Sequence, residues 1–239
     1  MKIESIIKAD GIAPTNFALT FAKIGAVIDA MAAGDASVAR SNWRMRGDTL
    51  EEAQKTSVYA ADGSPDPAVL TELDGKYQGQ GSAVIGIWLN VAGDDVGGSI
   101  ETMACGGDFP DVVTIDVRGA FLDSKELVAS VVKRLALEFS PAVVTAAPGG
   151  YEQKQAFDDR PGVGWMLYLP IEFTAQQIPE AQELIPVHSV DGKKRLGTIL
   201  VSIKDEVFSI DNEEHLVVAH NIEARLISMD LLPLLGEIG

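Results

Sequence analysis

One cysteine, three histidines and an aromatic content of 6% are what this 239-residue chain has least of. Cys105 stands alone, so no internal disulfide can form, which suits a reducing compartment; a lone cysteine is more commonly a small core residue than a nucleophile. With only His188, His215 and His220, a zinc site would have to recruit carboxylates. His215 and His220 fall on one predicted helix, but five residues turn them about 140° apart, so they do not share a ligand face. No run of about 18 apolar residues is present to cross a membrane. The opening MKIESIIKADG lacks the apolar core of a secretory signal, and the chain reads as cytosolic. Bases are scarce as well: 19 Lys and Arg stand against 35 Asp and Glu, a formal charge of −16. Such a field repels nucleic acid and anionic membranes and attracts basic partners. Residues 1–120 and 121–239 each carry a net −8, so the charge belongs to the whole surface and not to a tail.

What is present is enough apolar material for a substantial core, 46% of residues. Phe17, Phe21, Ile24, Ile28 and Met31 recur at spacings of three and four between Asn16 and Ala33, which predicts a core helix ending at Gly34. Asp123 with Glu126 has the form of a capping box ahead of Leu127, Val128, Val131, Val132 and Leu135, closed by Ser140 and Pro141. Asp211 with Glu214 repeats that signal ahead of Leu216, Ala219, Ile222 and Leu226. Short apolar or β-branched runs at 82–91, 112–117, 165–169 and 198–203 predict strands. A further strand is predicted at 99–105, between Gly- and Asp-rich turns at 93–98 and 106–111. The fold class that follows is α+β, a mixed or largely antiparallel sheet packed with amphipathic helices. The order helix, strand, helix, then strands occurs before and after about residue 120, a hint of two similar halves. The loop-like stretch 146–162 is a place for a domain joint, but apolar elements flank it and no long polar linker follows, so residues 1–239 are read as one domain.

The search for chemistry returns little. Gly97-Gly98-Ser99 begins like a nucleophile elbow, but Glu101 stands where the closing glycine is required. Gly75, Gly79 and Gly81 lack the Lys and Ser or Thr of a phosphate-binding loop. Neither Asp94-Asp95 nor Asp158-Asp159 follows the alternating ligand spacing of a calcium loop. Trp43, Trp88 and Trp165 lie in or beside apolar runs, where core packing is the ordinary role; an exposed one would be a binding anchor.

Several strings, taken in order, resemble the immunity protein 52 family. They are Gly162-Val163-Gly164-Trp165-Met166-Leu167-Tyr168-Leu169-Pro170, Glu183-Leu184-Ile185-Pro186-Val187, Gly197-Thr198-Ile199-Leu200-Val201-Ser202, Asn212-Glu213-Glu214-His215 and Ile222-Glu223-Ala224-Arg225-Leu226. Upstream, Trp43, Gly47-Asp48-Thr49, Glu51-Glu52-Ala53 and Gly86-Ile87-Trp88 agree, so the similarity runs from about Trp43 onward. The resemblance implies a non-enzymatic antitoxin without a cofactor, whose partner is a cognate toxin with a restriction-endonuclease-like nuclease domain. Such toxins are encoded beside the immunity protein and delivered by type VI or similar secretion systems. No direct contact with nucleic acid or membrane is implied, and the oligomeric state is not indicated. A nuclease holds phosphate with basic groups, which an acidic inhibitor complements. The resemblance assigns no interface residues; Asp94, Asp95, Asp158 and Asp159, acids on loops beside strands, are the candidates for partner contact. The rival readings are a metal-dependent enzyme using Asp94, Asp95 and Glu101, and a structural subunit of a homo-oligomer.

Overall fold

The structure, a computed structural model, describes residues 1–47 and 49–238. Asp48, part of the Gly47-Asp48-Thr49 string, lies outside the described residues. Among the described residues the strands are β1 (Lys2–Ile7), β2 (Trp43–Met45), β3 (Ala83–Leu89), β4 (Gly97–Ala104), β5 (Asp111–Arg118), β6 (Val143–Ala147), β7 (Met166–Leu169), β8 (Glu183–His188) and β9 (Arg195–Val201). The α-helices are α1 (Phe17–Ala32), α2 (Leu50–Lys55), α3 (Pro67–Lys76), α4 (Lys125–Phe139) and α5 (Glu213–Ser228). The strands form one sheet in the order β2-β3-β4-β5-β1-β6-β7-β9-β8, with every neighbouring pair antiparallel. The α+β reading holds, and the sheet is antiparallel rather than mixed. It runs unbroken past residue 120, because β1 pairs with β5 on one side and with β6 on the other.

Helix α1 forms where the spacing predicts it. Asn16 caps it by accepting from the Leu19 amide, and Phe17, Phe21, Ile24, Ile28 and Met31 are each 2% exposed or less. Burying each of those side chains contributes about 1.5–3 kcal/mol, against about 1 for the cap, so packing rather than capping holds the helix. The two proposed capping boxes shift by one residue. Ser124 caps α4 through the Leu127 amide, because Asp123 closes a 3₁₀ turn of Ala120–Asp123. Asn212 caps α5 through the Glu214 amide. In both cases the residue with extended backbone, which an N-cap requires, is the one after the aspartate.

The two faces of the sheet differ. On one face Ile3, Ile85, Ile87, Ile100, Val113 and Ile115 are 6% exposed or less. Helix α4 packs there against β1, β6, β7 and β9, with α1 alongside it. On the other face the C-terminal strands are also buried, with Leu167 and Leu200 fully covered and Leu169 at 1%. The 151–162 segment and α5 lie on that side, joined to each other through Glu223. The same face of β3, β4, β5 and β1 is left open, and apart from the buried Ile6 and Gly97 its residues are half-buried or exposed in alternation with the core set.

Candidate partner-binding surface

Cross-strand register lays the open face out in three rows. Val84, Met103, Val112 and Ile6 face one another in turn across β3, β4, β5 and β1, and make an apolar row. Gly86, Glu101, Thr114 and Glu4 make a polar row, and Trp88, Ser99, Asp116 and Lys2 a third. The polar row is ordered by ion pairs: Arg46 Nη1 lies 2.9 Å from Glu101 Oε2, and Lys2 Nζ lies 3.0 Å from Glu4 Oε2. The Arg46 guanidinium crosses Gly86, and a Cβ there would sit 2.6 Å from Nε unless the arginine shifted. Trp43 and Trp165 are fully buried, their indole N–H groups donating to the carbonyls of Val38 and Ile203, both at 2.8 Å. Trp88 instead lies half-buried on the open face.

The two connections that carry the four candidate aspartates leave the sheet at the same end. Asp94 and Asp95 are exposed in the β3–β4 turn, and Asp158 and Asp159 are exposed in the β6–β7 connection. The strand ends from which these connections leave, β4 and β6, are three strand spacings apart, about 15 Å. Arg118 Nε donates to the Asp94 carbonyl at 3.0 Å, and the Leu235 amide donates to the Asp159 carbonyl at 2.9 Å. Both turns are therefore anchored through backbone while their carboxylates face solvent. Asp158 also lines a cavity of about 350 Å³ with Lys2, Glu4, Tyr151, Glu152 and Arg160, at the step where the open face meets the 151–162 segment. Glu101 is held by Arg46 and lies on the sheet, not in the Asp94–Asp95 turn. Among the described residues no group of three or more His, Cys, Asp or Glu is arranged to hold a metal ion.

The polar residues of the string-like motifs form a framework behind this surface. Glu223 is 1% exposed, and its carboxylate accepts from the Tyr151 hydroxyl at 2.7 Å and from the Ala156 and Val163 amides at 2.8 Å. A buried carboxylate needs such donors, and these tie α5 to both ends of the 151–163 loop. Burial first, and then the Glu223 charge, hold the Tyr151 hydroxyl protonated far above its ordinary range. Arg225 donates to Glu180 Oε1 from Nε and Nη2 at 2.9 and 2.7 Å, and these bonds hold the Glu180 carboxyl below the usual carboxylate range. His215 is buried, with Nδ1 accepting from the Ser209 amide at 3.0 Å and Nε2 facing Glu206 at 3.2 Å. His220 reaches the Lys154 carbonyl instead, so the two histidines serve separate contacts.

One half of the antiparallel sheet is thus covered on both sides, and the other half presents an ordered open face. The immunity protein 52 family matches residues 22–235, and the chain belongs to that family. The Pseudomonas aeruginosa T6SS protein PA0821 has a similar fold, with a TM-score of 0.55 and 11% sequence identity over 94% of this chain and 75% of that one. No curated protein matches the chain. Family membership carries an immunity role and the binding of a cognate toxin. The residues that carried the resemblance, Val163, Trp165, His215, Glu223 and Arg225, are framework residues, and each makes one of the polar contacts just described.

Proposed function

We propose that this chain is a cytoplasmic antitoxin that binds and neutralises a secreted toxin with a restriction-endonuclease-like nuclease domain, and that it performs no chemistry of its own. Membership of the immunity protein 52 family over residues 22–235 is the observation that carries this reading. The net charge of −16 supports the nature of the partner, since a nuclease surface that grips phosphate is basic. The likeness in fold to a T6SS protein supports a type VI system as the route of delivery. Asp94, Asp95, Asp158 and Asp159 are the acids assigned to meet the partner's basic groups, being exposed on anchored turns at one end of the sheet. The test is co-expression with the product of the adjacent reading frame. The two proteins co-purify, DNA is cleaved by the partner alone and spared by the complex, and this chain by itself leaves DNA intact. Hydrolysis of DNA by this chain alone, or cleavage undiminished in its presence, overturns the reading.

A further inference from the structure

The open sheet face carries an exposed apolar cluster for which neither fold nor framework has a use. Val84 is 51% exposed and Met103 38%, and they are direct cross-strand partners on β3 and β4. Val112 faces Met103 from β5 and is half-buried. Phe109, 69% exposed, sits in the turn that joins β4 to β5, just beyond this row. The turn is rigid. The buried Asp111 carboxylate accepts from the Cys105 and Ile12 amides, both at 2.7 Å. Gly106, at φ +65°, comes so close to Gly81 that a Cβ would fall 2.0 Å from its carbonyl oxygen. An exposed aromatic in the adjoining turn, together with two exposed apolar side chains on neighbouring strands, has the composition of an interface core and not of a solvated surface.

We propose that this face, centred on Val84, Met103, Phe109 and Val112, is where the basic toxin domain docks; the inference rests on the antitoxin reading above and names its surface. Two observations select a basic protein as the occupant. The carboxylates of Asp94 and Asp95 at one end of the face, Asp108 beside Phe109 at the other, and Asp158 at the step rim it with negative charge. Within the face, the acids Glu101 and Glu4 are paired with Arg46 and Lys2, and Asp116 of the third row is exposed. A partly apolar centre whose glutamates are paired, inside an acidic rim, matches a protein surface with an apolar contact ringed by Lys and Arg. Extent contributes as well: strands β3 to β1 span about 15 Å and run for about 25 Å, on the order of 400 Å² in projection. That is about half of the ~800 Å² that each partner gives to a stable complex, the rest falling to the rim turns and the step.

The test measures affinity for the purified adjacent-frame product, with its nuclease activity removed by mutation, using wild type, Val84→Arg, Met103→Arg and the control Val190→Arg. Val190 is 88% exposed in the β8–β9 turn, so the control adds the same charge and bulk away from the face. Circular dichroism and melting establish that each variant is folded, and Phe109→Ala gives a variant in a turn for comparison. The expected result is that Val84→Arg and Met103→Arg weaken binding by at least about 30-fold and Phe109→Ala by about tenfold, while Val190→Arg stays within about threefold. Wild-type binding with all variants unchanged overturns the surface and leaves the antitoxin reading intact. Failure of the wild type to bind overturns the antitoxin reading and the surface with it. A wild-type homodimer in sedimentation that Val84→Arg converts to monomer, with toxin affinity retained, assigns the face to a second copy and also overturns the proposal.

Discussion

At Glu223 one carboxylate is acceptor to three donors from a single loop, and nothing else within that pocket replaces it. Its removal leaves the Tyr151 hydroxyl and two backbone amides unpaired in the interior, at about 1–3 kcal/mol each before relaxation. Glu223→Ala is therefore expected to lose about 3–5 kcal/mol of stability, a large part of the total for a domain of this kind, as read by urea unfolding. Glu223→Gln keeps one carbonyl acceptor but turns an amide N–H₂ toward a donor, and is expected to lose about 1–3 kcal/mol. Glu223 is visible in the sequence only as part of a family string. Its role could not be read there, because its three partners lie 60 to 72 residues away along the chain.

Helix ends make a second set of expectations at the scale of elements. Ser140 closes α4 with φ 48° and ψ 51°, a left-handed conformation that costs a residue with a Cβ about 1 kcal/mol. Its side chain is exposed, so Ser140→Gly is expected to raise stability by about 0.5–1 kcal/mol, measured as a higher urea midpoint at constant m-value. The Arg225–Glu180 pair joins α5 to the segment before β8. The pKa of Glu180 is lower in the folded chain than in the unfolded one, so its stabilisation is present above the ordinary glutamate range and is lost as pH falls through it. Glu180→Gln is accordingly expected to melt below wild type at pH 7, with the gap closing as pH falls below the ordinary glutamate range in paired melting curves. Periodicity located α1, α4 and α5 well, since each depends on local spacing. It missed β1, β6 and β8 because a strand of five or six residues is specified by its neighbours: β1 finds β5 and β6 more than 100 residues away.

For the whole molecule, charge and surface act together. An acidic protein meeting a basic partner associates faster than neutral bodies do, and salt screens that attraction beyond about 8 Å at physiological ionic strength. The association rate with the toxin domain is expected to fall at least about tenfold between low and high salt, with dissociation changing less, in stopped-flow measurements. A flat rate would reduce the −16 to a solubility trait. Because Asp94 and Asp95 are fully solvated at the rim, Asp94→Asn with Asp95→Asn is expected to slow association about three- to tenfold and to leave the dissociation rate nearly unchanged.

The sequence by itself determined the α+β class, the amphipathic stripes, the acidic surface and, through its strings, the family. These are properties of composition, local period and order, which survive without knowledge of what packs where. It also placed Asp94, Asp95, Asp158 and Asp159 on loops, as Gly and Pro neighbours dictate. Only the tertiary structure decided that the connections carrying both pairs leave one end of one sheet, that Trp43 and Trp165 are core while Trp88 is not, and that one half of the sheet is left open. In the sequence, β3 is apolar at both parities, at Val84 and Trp88 as at Ile85 and Ile87, and so reads as buried on both faces. Which face meets a helix and which meets water depends on where α4 and α5 fall. That placement is set by contacts between segments distant in the chain, and no local pattern encodes it.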